Sequence, residues 1–341
     1  MVTKPNRKAA TKLDDYTAAR TVWQLLGSIF LNAHLSARRP ILTAYQRTRL
    51  LLSLGAIVCY AIFWWLSRQF DVPGEPGYGI SLLLQPSVIG ALVVVLVGLL
   101  AAVIAGTLIA GRVRYDAGLF CAGLGLMALT IRGGTLVDVL HQRAAASTYL
   151  ILAAETVVLW LFVAAGSWVI SRLRVIPFLR DPHLPLEVDA ERVDWAWTTA
   201  HHIGAIVMQV VAMGLVVLLL SQSADKAQVL VAVFVGALAG TMLSGNYYTQ
   251  LRLPAYTCAG PAVVAVIGYL WAWLSPVGLA IGHTDHALAR PLPLDYLSAG
   301  SAGAILGAWA GLKYQIQILD SVVTMFTGKI REHRVVPPGA G

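Results

Sequence analysis

The sequence predicts an all-α integral membrane protein, a bundle of about eight transmembrane helices. Of its 341 residues, 57% are hydrophobic and only 12% are charged, about half the charged fraction usual in soluble domains. The mean hydropathy is +0.71. Long apolar runs recur along the chain, with Lys and Arg concentrated in alternate connections. A soluble fold of this size could not cover its surface with so few charges, so composition alone indicates the membrane class.

Composition divides the chain into three parts: a basic N-terminal segment (1–48), an eight-helix domain (49–314) and a C-terminal segment (315–341). The N-terminal segment contains an apolar stripe at helical spacing over 16–35, flanked by arginines. This pattern fits a helix that lies in the membrane interface or packs on the cytoplasmic face of the bundle. The C-terminal segment continues at helical spacing, which predicts a second amphipathic helix. The first 48 residues lack a signal-peptide pattern, so the first span is expected to stay in the mature protein.

Eight apolar runs approach or exceed the ~20 residues that a membrane-spanning helix requires. The eighth is rich in glycine and has the least apolar content. The predicted spans are Leu50–Phe70, Val88–Gly111, Asp116–Leu140, Thr148–Ser171, Ile203–Ser221, Ala227–Tyr247, Ala259–Gly282 and Tyr296–Lys313.

The distribution of positive charge predicts how the bundle is oriented. With eight spans and an internal N-terminus, four in five of the 25 Lys and Arg residues fall on the cytoplasmic side. Such a bias is expected when the number of spans and the orientation of the bundle are assigned correctly. The sequence therefore predicts a multi-pass protein of the cytoplasmic (inner) membrane with both termini in the cytoplasm.

Three spans carry a small residue at every fourth position, which places these residues along one face of each helix. Such a stripe forms a groove in which the backbone of a neighbouring helix can lie close. The groove serves either packing within the chain or an interface, with a second copy of the chain or with other membrane subunits. The glycines of these stripes include Gly98, Gly106, Gly236, Gly240, Gly303, Gly307 and Gly311.

Two ionisable side chains, Arg132 and Glu155, fall inside the predicted third and fourth spans. Because these helices run antiparallel, both side chains are expected at a depth of roughly 10 Å from the outer surface. A charge at mid-membrane costs at least ~2.5–3.5 kcal/mol unless it is paired or hydrated. We therefore predict an ion pair that lines a route for a solute or serves structure only. The alternative is that Gly133–Gly134 end the helix and leave Arg132 at the interface.

A second polar group lies on the predicted outer side, in two short sequences. These sequences supply imidazole and carboxylate ligands of the types that zinc accepts. The spacing alone does not show whether they meet, so a metal site and ordinary polar loops remain alternatives. The residues are Asp138, His141, His283, Asp285 and His286.

The sequence limits the function without defining it. It contains no pattern of catalytic residues and no phosphate-binding glycine loop, and no cofactor is predicted. Its basic residues lie beside apolar runs, which argues for the lipid bilayer as partner and against nucleic acid. Two functions remain: a transporter or channel for a small solute or ion, or a non-catalytic scaffold or accessory subunit of a membrane complex. An intramembrane enzyme ranks third.

Overall fold

The computed structural model describes residues 44–70, 80–111, 113–114, 116–173, 195–247, 254–275 and 286–311. These residues form helices and turns, and they include no strand. Six helices among them are long and apolar enough to cross a membrane. The predicted all-helical fold is confirmed with six candidate membrane spans, whereas the predicted count of eight spans is not confirmed. Both predicted terminal amphipathic helices lie outside the described residues.

The helices are numbered here in chain order, and a π-helical turn (Tyr296–Gly300) leads directly into the last of them. Short 3-10 turns lie at Ser67–Gln69, Leu82–Leu84 and Ala287–Ala289. The helices are α1 (Ala44–Leu66), α2 (Val88–Ala110), α3 (Ala117–Arg132), α4 (Leu136–Gln142), α5 (Ser147–Leu173), α6 (Trp195–Leu220), α7 (Lys226–Tyr247), α8 (Ala259–Leu274) and α9 (301–311).

The third predicted span is wrong as a continuous helix over 116–140. Helix α3 ends at Arg132, and Gly134 has a φ of 65°, a left-handed conformation that glycine adopts readily. Thr135 then starts α4, and its backbone N–H donates to the Asp138 carboxylate at 2.6 Å. The two glycines and this cap divide the predicted span into a helix of 16 residues and one of seven.

The bundle is built from two groups of helices around a central segment. Helices α1, α2 and α3 pack on one another, and α6 pairs with α7. Helices α5 and α8 pack together, and the π-helical turn contacts α3, α5, α7 and α8. We refer to the end of the bundle where α1 begins as the near end and to the opposite end as the far end.

The last segment of the bundle forms its interior. Every residue from 291 to 305 is buried, whereas each of the six candidate spans presents large apolar side chains on the outside. Burial all around a helix marks it as a core element rather than a surface one. Residues 296–311, which lie inside the eighth predicted span, form a buried central helix that is not among the six helices long and apolar enough to cross a membrane.

The small-residue stripes hold neighbouring helices of the same chain. A Cβ built at any of the seven glycines would lie within 3.1 Å of another group, and at five of them the nearest atom is a backbone oxygen. Gly303 and Gly307 lie against the carbonyls of Phe234 and Leu238, each 2.3 Å from the built Cβ. The glycine stripe of α9 thus brings it into direct contact with the backbone of α7.

Candidate functional site

Arg132 lies at the far end of α3 and is exposed. Its Nη1 donates to the Ser67 hydroxyl at 2.8 Å, and its guanidinium carbon lies 4.3 Å from the centre of the Trp64 ring. A cation stacked on an interfacial tryptophan is typical of the aromatic belt of membrane proteins. Because α3 ends here, the arginine reaches the surface. Its predicted ion pair with Glu155 is not formed, and the alternative of an interfacial arginine agrees with the structure.

Glu155 is fully buried in α5, two turns from the start of that helix. Its Oε2 accepts a hydrogen bond from the Ser81 hydroxyl at 2.5 Å and one from the backbone N–H of Leu83 at 3.3 Å. Its Oε1 has no hydrogen-bond partner among the described residues. One oxygen of the carboxyl group thus accepts hydrogen bonds from neutral donors, and the other has no donor in the described part of the chain.

The break between α3 and α4 places Ser81 against Glu155. Where a helix ends, its last carbonyls lose their partners within the helix. One of these, the carbonyl of Gly133, accepts a hydrogen bond from the backbone N–H of Ile80 at 2.7 Å. That bond anchors the extended residues before the Leu82–Leu84 turn, and the next residue, Ser81, is buried beside α5. The glycine pair in the sequence therefore helps to build the site around Glu155.

Two buried tyrosines, Tyr269 and Tyr296, interact electrostatically with each other, and only the first of them also interacts with this carboxyl group. Tyr269 of α8 is within electrostatic range of Glu155, Asp295 and Tyr296. The hydroxyls of both tyrosines donate to backbone carbonyls just before the central helix, Tyr269 to Pro291 and Tyr296 to Leu288 at 2.7 Å. Their hydrogens are therefore engaged elsewhere and leave Oε1 of Glu155 without a donor.

A second buried carboxylate, Asp295, lies at the far end of the central segment. It is 1% exposed and forms an ion pair with Lys226 of α7, with Nζ and Oδ1 2.6 Å apart. Burial raises the pKa of the Asp295 carboxyl, and the Lys226 ammonium offsets part of that rise. Its other oxygen accepts from the backbone N–H of Leu292 at 2.8 Å. Asp295 therefore has a charged partner, whereas Glu155 has none within the described ranges.

A third buried carboxylate, Asp116, lies at the near end, where α3 begins. Its Oδ1 is 3.3 Å from Nε of Arg114, and its Oδ2 accepts from the indole N–H of Trp309 at 2.9 Å. The Arg114 guanidinium also lies over the Trp309 ring, at 5.3 Å from its centre. These contacts connect the near end of α9 to α3.

The predicted outer polar cluster is only partly described by the structure. Asp138 is used to cap α4, and His141 is exposed on the same helix. Nε2 of His286 hydrogen-bonds to the carbonyl of Ser275 at 2.7 Å. His283 and Asp285 lie outside the described residues. No group of three metal-type ligands occurs in the described part of the chain, so a metal site here stays a prediction.

A small cavity lies between α5, α8 and the central segment. Its volume is about 10 Å³, roughly the room of one water molecule. Thr156, Trp160, Cys258, Tyr296 and Ser301 are among the residues that line it. Glu155 is not among the residues that line this cavity, and its side chain is fully buried.

Sequence reasoning identified Glu155 but missed its surroundings. Asp295 could have been noticed as an acid between apolar residues, three positions after Leu292, the spacing of a capped turn. Ser81 carried no comparable signal, since only the break at Gly133 brings it to α5. Comparison with known protein families, with curated proteins and with solved structures finds no match to this chain.

Proposed function

We propose that this multi-pass membrane protein carries a small ion across the membrane and that Glu155 is a binding group on its route. The observation that carries the proposal is the fully buried carboxyl group of Glu155. One of its oxygens accepts hydrogen bonds from neutral donors, and the other has no hydrogen-bond partner in the part of the chain that the structure describes. Ionisable residues inside membrane spans are costly and commonly mark ion or substrate pathways.

The comparison with the two other buried carboxylates supports a functional role. Asp295 has the Lys226 ammonium, and Asp116 has Arg114 and the Trp309 indole. A buried acid kept for structure alone needs partners of this kind to offset its desolvation. Glu155 has no cationic partner in the described parts of the chain, so it is the one among the three that is suited to receive a cation.

Interruptions of the helices near Glu155 also favour transport. The helix breaks between α3 and α4, and the segment before α9 passes through a 3-10 turn, a short helical turn (Pro293–Asp295) and a π-helical turn. Irregular backbone inside a membrane bundle is tolerated where protein surrounds it, and transporters often place their binding sites at such discontinuous helices. Because the site is closed in this conformation, a transport cycle requires the packing around Glu155 to open.

The alternative, a scaffold or accessory subunit, has less support. That role would use the small-residue grooves to hold a partner. The glycines of those grooves already lie against helices of the same chain, so no room is left there for a partner backbone. The proposal retains the cytoplasmic membrane as location, with both termini inside, on the strength of the Lys and Arg distribution.

The proposal is tested by reconstituting the purified full chain into liposomes. Currents are recorded on a solid-supported membrane after steps in pH, Na⁺, K⁺ and Cl⁻. We expect the wild type to give a current with at least one of these ions and Glu155→Gln to give the response of protein-free liposomes, because the variant keeps the size of the side chain but loses its charge.

Asp225→Asn is the matched control, since it makes the same chemical change at an exposed position. Asp225 accepts a hydrogen bond from the backbone N–H of Ala227 at 2.8 Å at the start of α7, and asparagine caps helices as well as aspartate. This variant is expected to conduct like the wild type. Equal currents from Glu155→Gln and wild type, or no current from the wild type under any gradient, would refute the proposal.

A further inference from the structure

We infer that the species bound by Glu155 is a proton. This inference rests on the proposed function and specifies its substrate. The alternative is a metal cation such as Na⁺, which the same negative charge would attract. The groups around the carboxyl decide between them.

The ligand count argues against a metal cation. Hard cations take several oxygen ligands, about six to eight for Ca²⁺. Glu155 offers one free oxygen, Oε1, and the side chain nearest its other oxygen, Ser81, uses its hydroxyl as a donor. Leu83 likewise presents an N–H group. Donors repel a cation, whereas a proton requires only the one free oxygen that the site provides.

The ionisable groups around Glu155 agree with this assignment. Tyr269 of α8 is within electrostatic range of the carboxyl, and Tyr296 and Asp295 are within electrostatic range of Tyr269. Helix α2 and the residues from 80 to 84 contain no ionisable side chain. Lys226 is engaged by Asp295. No ammonium or guanidinium therefore replaces the proton as a counter-charge to Glu155 in the described structure.

The complete burial of Glu155 gives the proton a thermodynamic role. A carboxylate loses its hydration on burial and then carries a charge that the apolar interior does not compensate. Uptake of one proton at Oε1 from water on one side makes the group neutral and permits the closed, packed conformation. Release of that proton on the other side regenerates the carboxylate. One positive charge crosses per cycle, and no bond other than O–H is made or broken.

The test measures proton flux into liposomes that contain the reconstituted full chain and the pH-sensitive dye pyranine. A K⁺ gradient with valinomycin sets the membrane potential. We expect the dye to report acidification in the wild type, at a rate that does not change when external Na⁺ is replaced by a large organic cation. Glu155→Gln should fall to the rate of protein-free liposomes, while Asp225→Asn keeps the wild-type rate.

A second variant, Ser81→Ala, tests the inference without relying on correct folding of the Glu155→Gln protein. The serine hydroxyl donates to the charged carboxylate, so its removal disfavours the ionised form. The pH at which the flux is half maximal should then move upward, by about one unit. A purely structural serine would lower the flux without moving this midpoint.

The outcomes separate the inference from the proposed function. The proposed transport function and the proton assignment are both supported if the proton flux depends on Glu155 and the pH midpoint of the flux shifts in Ser81→Ala. A Glu155-dependent current carried by Na⁺ or K⁺ without proton flux would overturn the proton assignment and leave transport standing. Absence of all flux from the folded wild type would overturn the two together.

Discussion

Replacement of Gly307 by leucine is expected to prevent the bundle from assembling. A Cβ at this position would lie 2.3 Å from the carbonyl oxygen of Leu238 and 3.0 Å from the carbon of the same group. These are backbone atoms of α7, which cannot move aside as a flexible side chain can. A leucine forces the two helices apart, and we expect a loss beyond the roughly 1–3 kcal/mol typical of over-packed cores.

The measurement is thermal stability in detergent, followed by size-exclusion chromatography after heating. Gly214 of α6 provides the control, because a Cβ there meets nothing within 4 Å. Gly214→Leu should melt like the wild type, whereas Gly307→Leu should give little folded protein at any temperature. Equal melting of the two variants would show that α9 does not pack on α7 through this glycine.

Removal of the Lys226 ammonium is expected to have the second-largest effect on stability. Lys226→Met leaves the carboxyl of Asp295 buried and uncompensated, which in comparable pairs costs about 3–5 kcal/mol. Replacing both partners, as in Lys226→Met with Asp295→Asn, removes the uncompensated charge and should recover much of that loss. Thermal melting of the two single variants and the double variant gives the coupling free energy. Additive losses would contradict the ion pair.

The pH dependence of Lys226→Met provides an independent check. Without the ammonium, burial alone acts on Asp295, and its pKa in the folded protein rises above the unfolded value. A raised pKa contributes stability at low pH that is lost as the pH rises through the folded value. The melting temperature of the variant should therefore be closest to that of the wild type in acid, and it should fall further below the wild-type value as the pH increases. A constant difference at every pH would contradict this explanation.

The helical membrane class could be read from the sequence because it depends on quantities summed over many residues. Six of the predicted spans correspond to helices of sufficient length, since a run of ~20 apolar residues has few alternatives in a membrane. The break at Gly133 and Gly134 was harder to predict, because glycine is tolerated in membrane helices. A capped restart at Thr135 decides the outcome.

The contacts of the candidate site depended on details that spacing does not contain. The predicted pair of Arg132 and Glu155 assumed two continuous antiparallel helices and compared only their depths. The depth of a side chain in the membrane does not specify the direction in which it points. Arg132 extends along α1 to Trp64, whereas Glu155 faces Ser81 on the inside of the bundle. The actual partner of the carboxyl lies in a short segment between helices, and periodicity cannot position such a segment.

The central claim is that Glu155 takes up and releases a proton inside the bundle. Difference infrared spectroscopy of the protein in lipid, recorded between alkaline and acid pH, tests it most directly, because a protonated carboxyl has a C=O stretch that a carboxylate lacks. We predict a carboxyl band in the wild type and in Asp225→Asn that is missing from Glu155→Gln and that follows the pH dependence of the flux. Identical difference spectra for the wild type and Glu155→Gln would contradict the claim.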